Sequence, residues 1–280
     1  VDFVIGPSLD IEINDDSPYT SSHSFGNDIA TVSQKAQSFV DGMRTAGVMC
    51  VAGHFPGLGN TLRGADPNPP MIYSKRRELN NRDLVPFKAL INDGLQGVMM
   101  ASAFAPGIDS SLNTTAASSV IAHQTLTEQL GFQGLAWCDL STENNLQEHT
   151  VQEMFLAGND LIILSSDLNV GIGALKKLML SGDLNERQID ERCRRILQLK
   201  LWTERKPQNA LTLQEFAQFE LEYPKNFQSS TLTTHPYTNL CEYSPTICQD
   251  VAGRVPYIYC ATIGSLLGLR KVRNSPLEYI

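Results

Sequence analysis

Up to about residue 203, short near-continuous apolar runs alternate with longer stretches in which apolar residues recur every three to four positions. The runs Val1–Ile5, Val48–Ala52, Gly97–Ala101, Gly134–Asp139 and Asp160–Ser165 predict strands covered on both faces. Between them the spacing predicts helices. In Ile29–Ala46, the residues Ala36, Phe39, Val40 and Met43 fall at i, i+3, i+4 and i+7. Arg82–Asp93, Ser118–Leu130, Leu146–Ala157 and a segment near Gly173–Ser181 each run into a glycine that can close a helix. Asn185–Trp202 places Ile189, Cys193, Ile196, Leu197 and Leu201 on one face. Strand–helix units repeating every 35–45 residues or so imply a parallel sheet.

An α/β fold with a parallel sheet is either an open doubly wound sheet or a closed (β/α)8 TIM-type barrel. No GxGxxG follows any strand, so the dinucleotide-binding open sheet has no support. A barrel needs eight strands, and five are visible. On that reading two or three strands precede Val1, and the barrel is N-terminally incomplete in this chain. The pattern divides residues 1–203 from a tail, 204–280, rich in Thr, Ser, Pro and Tyr. In the tail, Leu213–Glu222 reads as a helix and Val255–Cys260 as a strand, and the fold is unassigned.

The chain has 280 residues, 42% hydrophobic and 19% charged, which suits a folded domain with a sizeable core. Its net charge of −8 argues against a nucleic-acid partner. No apolar run reaches the roughly 20 residues of a membrane span. The N-terminus, Val1-Asp2-Phe3-Val4-Ile5, lacks the basic start of a signal peptide and reads as a strand of a processed or truncated chain. Of six cysteines, Cys50 and Cys193 read as buried small apolar residues. Cys241 and Cys248 could pair if the protein is exported, so the compartment stays open. Metalloprotease, GxSxG, P-loop and EF-hand patterns are absent.

His54 directly follows a predicted strand, in His54-Phe55-Pro56-Gly57-Leu58-Gly59. Side chains at the C-terminal ends of barrel strands face the active-site side, which makes His54 a site candidate. The aromatic–proline bond is a place for a cis turn. With its neighbours this loop resembles glycoside hydrolase family 3, in the β-N-acetylhexosaminidase branch. Gly6-Pro7-Ser8-Leu9-Asp10-Ile11 is similar to the family's GPxLDI, Ser24-Phe25-Gly26-Asn27-Asp28 to RSFGxD, and His54–Gly59 to KHFPGHG. Phe39–Met43 with Gly47-Val48, Asp83–Phe87, Leu130–Gly134, Ala157–Asp160, Arg187–Asp190 and Arg194–Lys200 continue the match in order.

That resemblance implies a (β/α)8 barrel and no cofactor; His123 and His149 fall in helical stretches with no spaced partner, so no metal is expected. The resemblance also implies hydrolysis of β-linked N-acetylglucosamine with retention, through an aspartate nucleophile and an acid carried by a mobile Asp-Ser-His loop. Retention needs two catalytic groups about 5–5.5 Å apart. Aligned on the family's Ser-Asp-Asp-Leu, Cys138 falls in the nucleophile slot and Asp139 on the second aspartate, on the opposite face of the strand. The Asp-Ser-His loop maps onto Gly64-Ala65-Asp66, or with an insertion onto Asp66-Pro67-Asn68. Neither keeps the histidine, which leaves Asp66 as the acid candidate.

Substrate-binding candidates are Asp10, His23 and His54. Family positions that bear Lys, His, Arg and His carry Gly53, Leu58, His23 and Ser102, and the family's upstream acidic loop would lie before Val1. Two readings follow: a family member with weak or lost catalysis, or an active retaining β-glycosidase using a rearranged carboxylate pair such as Asp66 with Asp139 or Asp10. In the inactive case Trp137, Leu58 or Pro67 should fill the cleft. The partner is a β-linked amino-sugar glycan or none, and a partner covering the open barrel edge at Val1–Ile5 is a further expectation.

Overall fold

The structure is a computed structural model. It describes residues 2–14, 17, 19–20, 23–62, 69–111, 113–141, 146–164, 168–203 and 259–260. The described residues all fall in one compact unit formed by Val1–Lys206 with Ile258–Ile280.

Five strands, β1 (Phe3–Ser8), β2 (Met49–Phe55), β3 (Gly97–Met100), β4 (Leu135–Asp139) and β5 (Leu161–Leu164), pair in parallel and in strict chain order. A sixth, β6 (Tyr259–Cys260), adds antiparallel to β5. All five predicted strands are present. Of the tail strand predicted at Val255–Cys260, Tyr259 and Cys260 form β6, while the rest of it and the helix predicted at Leu213–Glu222 lie outside the described residues. Among the described residues nothing pairs with the outer edge of β1.

The crossovers are helical. They are α1 (Ile29–Thr45), α2 (Arg76–Glu78) running through a π turn (Leu79–Asp83) into α3 (Leu84–Asn92), a π-helical segment (Val120–Gln129), α4 (Glu148–Ala157) and α5 (Leu168–Ser181). The last helix is α6 (Glu186–Thr203). Asp28 starts α1, its carboxylate accepting the Thr31 N–H at 2.7 Å. Several boundaries differ from the sequence reading: β1 and β2 each run three residues further than predicted, to Ser8 and Phe55. The helix predicted from Arg82 begins at Arg76, because the wide turn at Leu79–Asp83 breaks the 3.6-residue spacing. α5 begins at Leu168, five residues before the predicted start, where the sequence has Asn and Gly rather than a clear apolar stripe.

Side-chain alternation sorts the core into two faces. On one, Cys50, Ala52, Val98, Met100, Ala136, Cys138, Ile162 and Leu164 pack against α1, α3, α4, α5 and the π-helical segment. On the other, Met49, Val51, Met99, Leu135, Trp137, Leu161 and Ile163 pack together with Ile196 of α6. All crossover helices therefore contribute to one face, and strand order shows no reversal. A doubly wound sheet places helices on both faces and reverses order at a switch point. The winding here is that of a barrel, and the second face is its interior.

One polar staple lies at the opposite end of the strands from the site. The carboxylate of Asp160, 4% exposed, accepts the Ala136 N–H at 3.0 Å and an Arg195 N–H at 2.5 Å, with Arg192 Nε at 3.6 Å. The Arg192 guanidinium stacks on Phe155, 3.8 Å from the ring centre. Buried carboxylates persist where they are paired and hydrogen-bonded, and this one fastens α6 to the β4–β5 edge.

Candidate active site

The strands deliver their C-terminal residues to one end of the sheet. β1 ends at Ser8, and two residues later Asp10 is fully buried. β2 ends in His54-Phe55, with cis peptide bonds at Gly53–His54 and at Phe55–Pro56, the second at the bond where the sequence expected one. The β2–β3 register shifts between Ala52 and Phe55, and Phe55 faces the helices in edge-on contact with Phe87.

Asp10 organises this end. Its Oδ2 lies 2.9 Å from His54 Nδ1 and accepts the Ser8 hydroxyl at 3.0 Å. Its Oδ1 accepts the Leu58 N–H at 2.8 Å, and both oxygens lie 3.3–3.4 Å from the His54 N–H. Ser24, next to His23, donates to the Asp10 carbonyl at 2.6 Å. Burial opposes the ionised form of Asp10, but the charge and hydrogen bond of His54 and the Leu58 N–H outweigh it and hold the carboxyl below its usual range. Burial likewise opposes a charged His54. The Asp10 charge, its hydrogen bond and the charge of Asp139 prevail and raise the imidazole above its usual value. With Nδ1 turned to Asp10, Nε2 is the nitrogen left for a ligand, and the side chain is 39% exposed.

β4 settles an orientation that the sequence assigned the other way. Cys138 is 1% exposed, paired in register with Ile162 and packed on the helix-covered face. Burial first, and the neighbouring Asp139 charge second, push its thiol well above the ordinary range. Asp139 pairs with Ile163 and shares the interior face with Trp137 and Leu161. The two side chains do oppose each other, but it is Asp139 that faces inward, half-buried at the strand end, and the thiol that is turned away. The thiol that the alignment puts in the nucleophile slot is thus packed in the helix-side core. Asp139 Oδ1 accepts the Ser141 N–H at 2.7 Å.

The structure thus brings together Asp10, His54 and Asp139. His23 is exposed beside Ser24. Asp66 and Pro67 lie outside the described residues. Trp137 is 2% exposed, its ring tilted against that of Phe3 with centroids 4.9 Å apart, one pleat below Asp139, while Leu58 packs in the helix-side core. Gly53 sits so close to Met99 that a Cβ there would lie 3.0 Å from the Met99 Cβ. A longer side chain at that position would require Met99 to move.

One site residue was missed. Asp83, at the end of the π turn, is 1% exposed and packs against Gly57 of the His54 loop. Burial raises its carboxyl to about 6, with the Asp10 charge adding and Arg82 opposing. The signal was an acidic residue inside an apolar helical run, Asp83-Leu84-Val85-Pro86-Phe87. Among the described residues no group of three or more His, Cys, Asp or Glu is placed to hold a metal ion, and no helix is long and apolar enough to cross a membrane.

Comparison with known proteins accords with this geometry. The chain is 26% identical over 214 residues to a β-N-acetylglucosaminidase/β-glucosidase of Cellulomonas fimi, covering 71% of this chain and 38% of that protein. It is 30% identical over 174 residues to a β-hexosaminidase of Glaesserella parasuis, covering 60% of this chain and 50% of the relative. The structure of a glycoside hydrolase family 3 β-N-acetylglucosaminidase from Paenibacillus superposes with a TM-score of 0.68 at 26% identity, over 84% of this chain and 44% of that one. The chain therefore spans half or less of the length of these relatives. Residues 1–199 match the description of the glycosyl hydrolase family 3 N-terminal domain, and the chain belongs to that family.

Proposed function

We propose that this chain carries the nucleophile half of a retaining β-glycosidase site for β-linked N-acetylglucosamine, working with weak substrate affinity. The observation that carries the reading is the orientation of β4: Asp139 closes the strand on the interior face, within electrostatic reach of His54, while Cys138 points into the helix layer. In this scheme Asp139 attacks the anomeric carbon as a carboxylate. An acid protonates the leaving oxygen and then activates water. Asp66 is the candidate for that acid.

Weak affinity follows from the altered contacts. Glycine at 53, leucine at 58 and serine at 102 offer fewer hydrogen bonds than the family residues at those positions. Each lost charged hydrogen bond costs about 1.5–3 kcal/mol. The site accordingly retains an attacking group with fewer groups to hold a sugar.

The test is turnover of an aryl β-N-acetylglucosaminide by the full chain, alongside Asp139→Asn, Asp66→Asn and Cys138→Ala. The reading expects slow, high-KM turnover that falls at least a hundredfold in Asp139→Asn and persists in Cys138→Ala. Turnover at background in the full chain, or unchanged in Asp139→Asn, contradicts it.

A further inference from the structure

Asp83 has three features that packing alone does not explain. It closes a π turn, an insertion that widens the helix by one residue and is common beside functional sites. It is almost fully buried, and its Oδ1 has no hydrogen-bond partner among the described residues. It also abuts the catalytic-end loop: a Cβ on Gly57 would lie 3.0 Å from the Asp83 Cβ and 3.5 Å from Oδ1, and Gly57 adopts φ +125°, a conformation that side chains avoid.

A hydrogen-bonded chain extends from the same residue. Asp83 Oδ2 accepts an Arg82 N–H at 3.0 Å, and the same Arg82 nitrogen donates to Ser74 Oγ at 2.8 Å. Asn60 donates to Ser74 Oγ at 3.2 Å. The loop after His54 is thus hydrogen-bonded by Asp10 at Leu58 and by Ser74 at Asn60, and Asp83 packs closely against it at Gly57. The charged groups acting on Asp83 are Arg82 from its own turn and Asp10 from the end of β1. His54 acts on Asp10, and Asp139 acts on His54.

We propose that Asp83 is a proton-sensitive positioning residue, which in its neutral form holds the Gly57–Asn60 loop so that Asp10 presents His54 to the substrate. The proposal rests on the reading of Asp139 and His54 as the sugar-facing groups. Two buried carboxyls near each other resist ionising together. While Asp83 is neutral, Asp10 keeps its charge for His54 and the Leu58 N–H. Once Asp83 ionises, a second buried negative charge with an unpartnered oxygen presses on Asp10 and on the loop. The raised value of about 6 puts this change just above mildly acid conditions. Asparagine mimics the neutral form without titrating.

Two measurements on the full chain test this. In the first, kcat and KM for an aryl β-N-acetylglucosaminide are followed across pH 5–8 in the wild type and in Asp83→Asn. The expected result is a KM that rises at least threefold through pH 6 in the wild type, with kcat little changed, and no such rise through pH 6 in Asp83→Asn. Superimposable profiles overturn the proposal. The second does not need activity or a folded variant: the side-chain carboxyl carbon of Asp83 and the amide of Leu58 are followed by NMR against pH in the wild type. Both should titrate together near 6. An Asp83 carboxyl titrating in the ordinary aspartate range, or a Leu58 amide blind to it, overturns the proposal even where turnover is absent. Absent turnover alongside that joint titration contradicts only the glycosidase reading.

Discussion

Cys138 and Asp139 are neighbours in β4, yet the thiol is buried among the helices while the carboxylate closes the interior face opposite Ile163. Two consecutive strand residues cannot share a face. Their roles are therefore separable by substitution. Cys138→Ala removes one buried sulfur and should lower stability by about 1 kcal/mol, leaving kcat/KM within threefold. Thermal unfolding and steady-state kinetics of the variant read both numbers.

Asp10 is the hub of the site end, so its removal should cost more than any single contact. Asp10→Asn keeps the volume but loses the charge that holds His54 and two backbone N–H groups. Breaking a buried, hydrogen-bonded charge pair typically costs about 3–5 kcal/mol. Denaturant unfolding should show a loss of that order, with the His54 titration moving down towards its ordinary value.

Stability should pass through a maximum on the acid side of neutrality. Asp10 titrates below its unfolded value, so its contribution is present above about pH 3.8 and is lost as pH falls through the lower folded value. Asp83 runs the other way. Its raised carboxyl favours folding below pH 3.8, and that advantage is lost as pH climbs to about 6, at a cost of about 3 kcal/mol. His54 is raised above 6.5, so its contribution is full below 6.5 and is lost as pH rises through the folded value. Melting temperature against pH should therefore peak near pH 4 and fall from there towards neutrality. Asp83→Asn should flatten the decline between pH 4 and 6 while leaving the later one attributed to His54.

The far end of the barrel depends on Asp160. Asp160→Ala would strand Arg192 and Arg195 and leave the Ala136 N–H without its acceptor. The expected loss is about 3–5 kcal/mol in chemical denaturation. His54 should keep its titration, because the staple lies at the opposite strand ends.

The alternation of apolar runs and helical spacing made the five parallel strands legible, because strands covered on both faces and amphipathic helices bury different patterns. The winding needed coordinates. Nothing in Val98 or Ala136 alone says that both meet the same helix layer. His54 is legible from its place at a strand end and Asp10 from the family resemblance, whereas the facing of Cys138 and Asp139 rests on an alignment that a one-residue offset reverses. Asp83 went unread as a site residue because the π turn displaces it from the helical spacing used to find it.

The central claim is that Asp139 forms the bond to the sugar. The most direct test is incubation of the full chain with a 5-fluoro-N-acetylglucosaminyl fluoride, which slows breakdown of a glycosyl–enzyme ester, followed by peptide mass spectrometry. The account predicts an adduct on the side chain of Asp139, absent in Asp139→Asn. No adduct, or one on Cys138 or on another carboxylate, would contradict it.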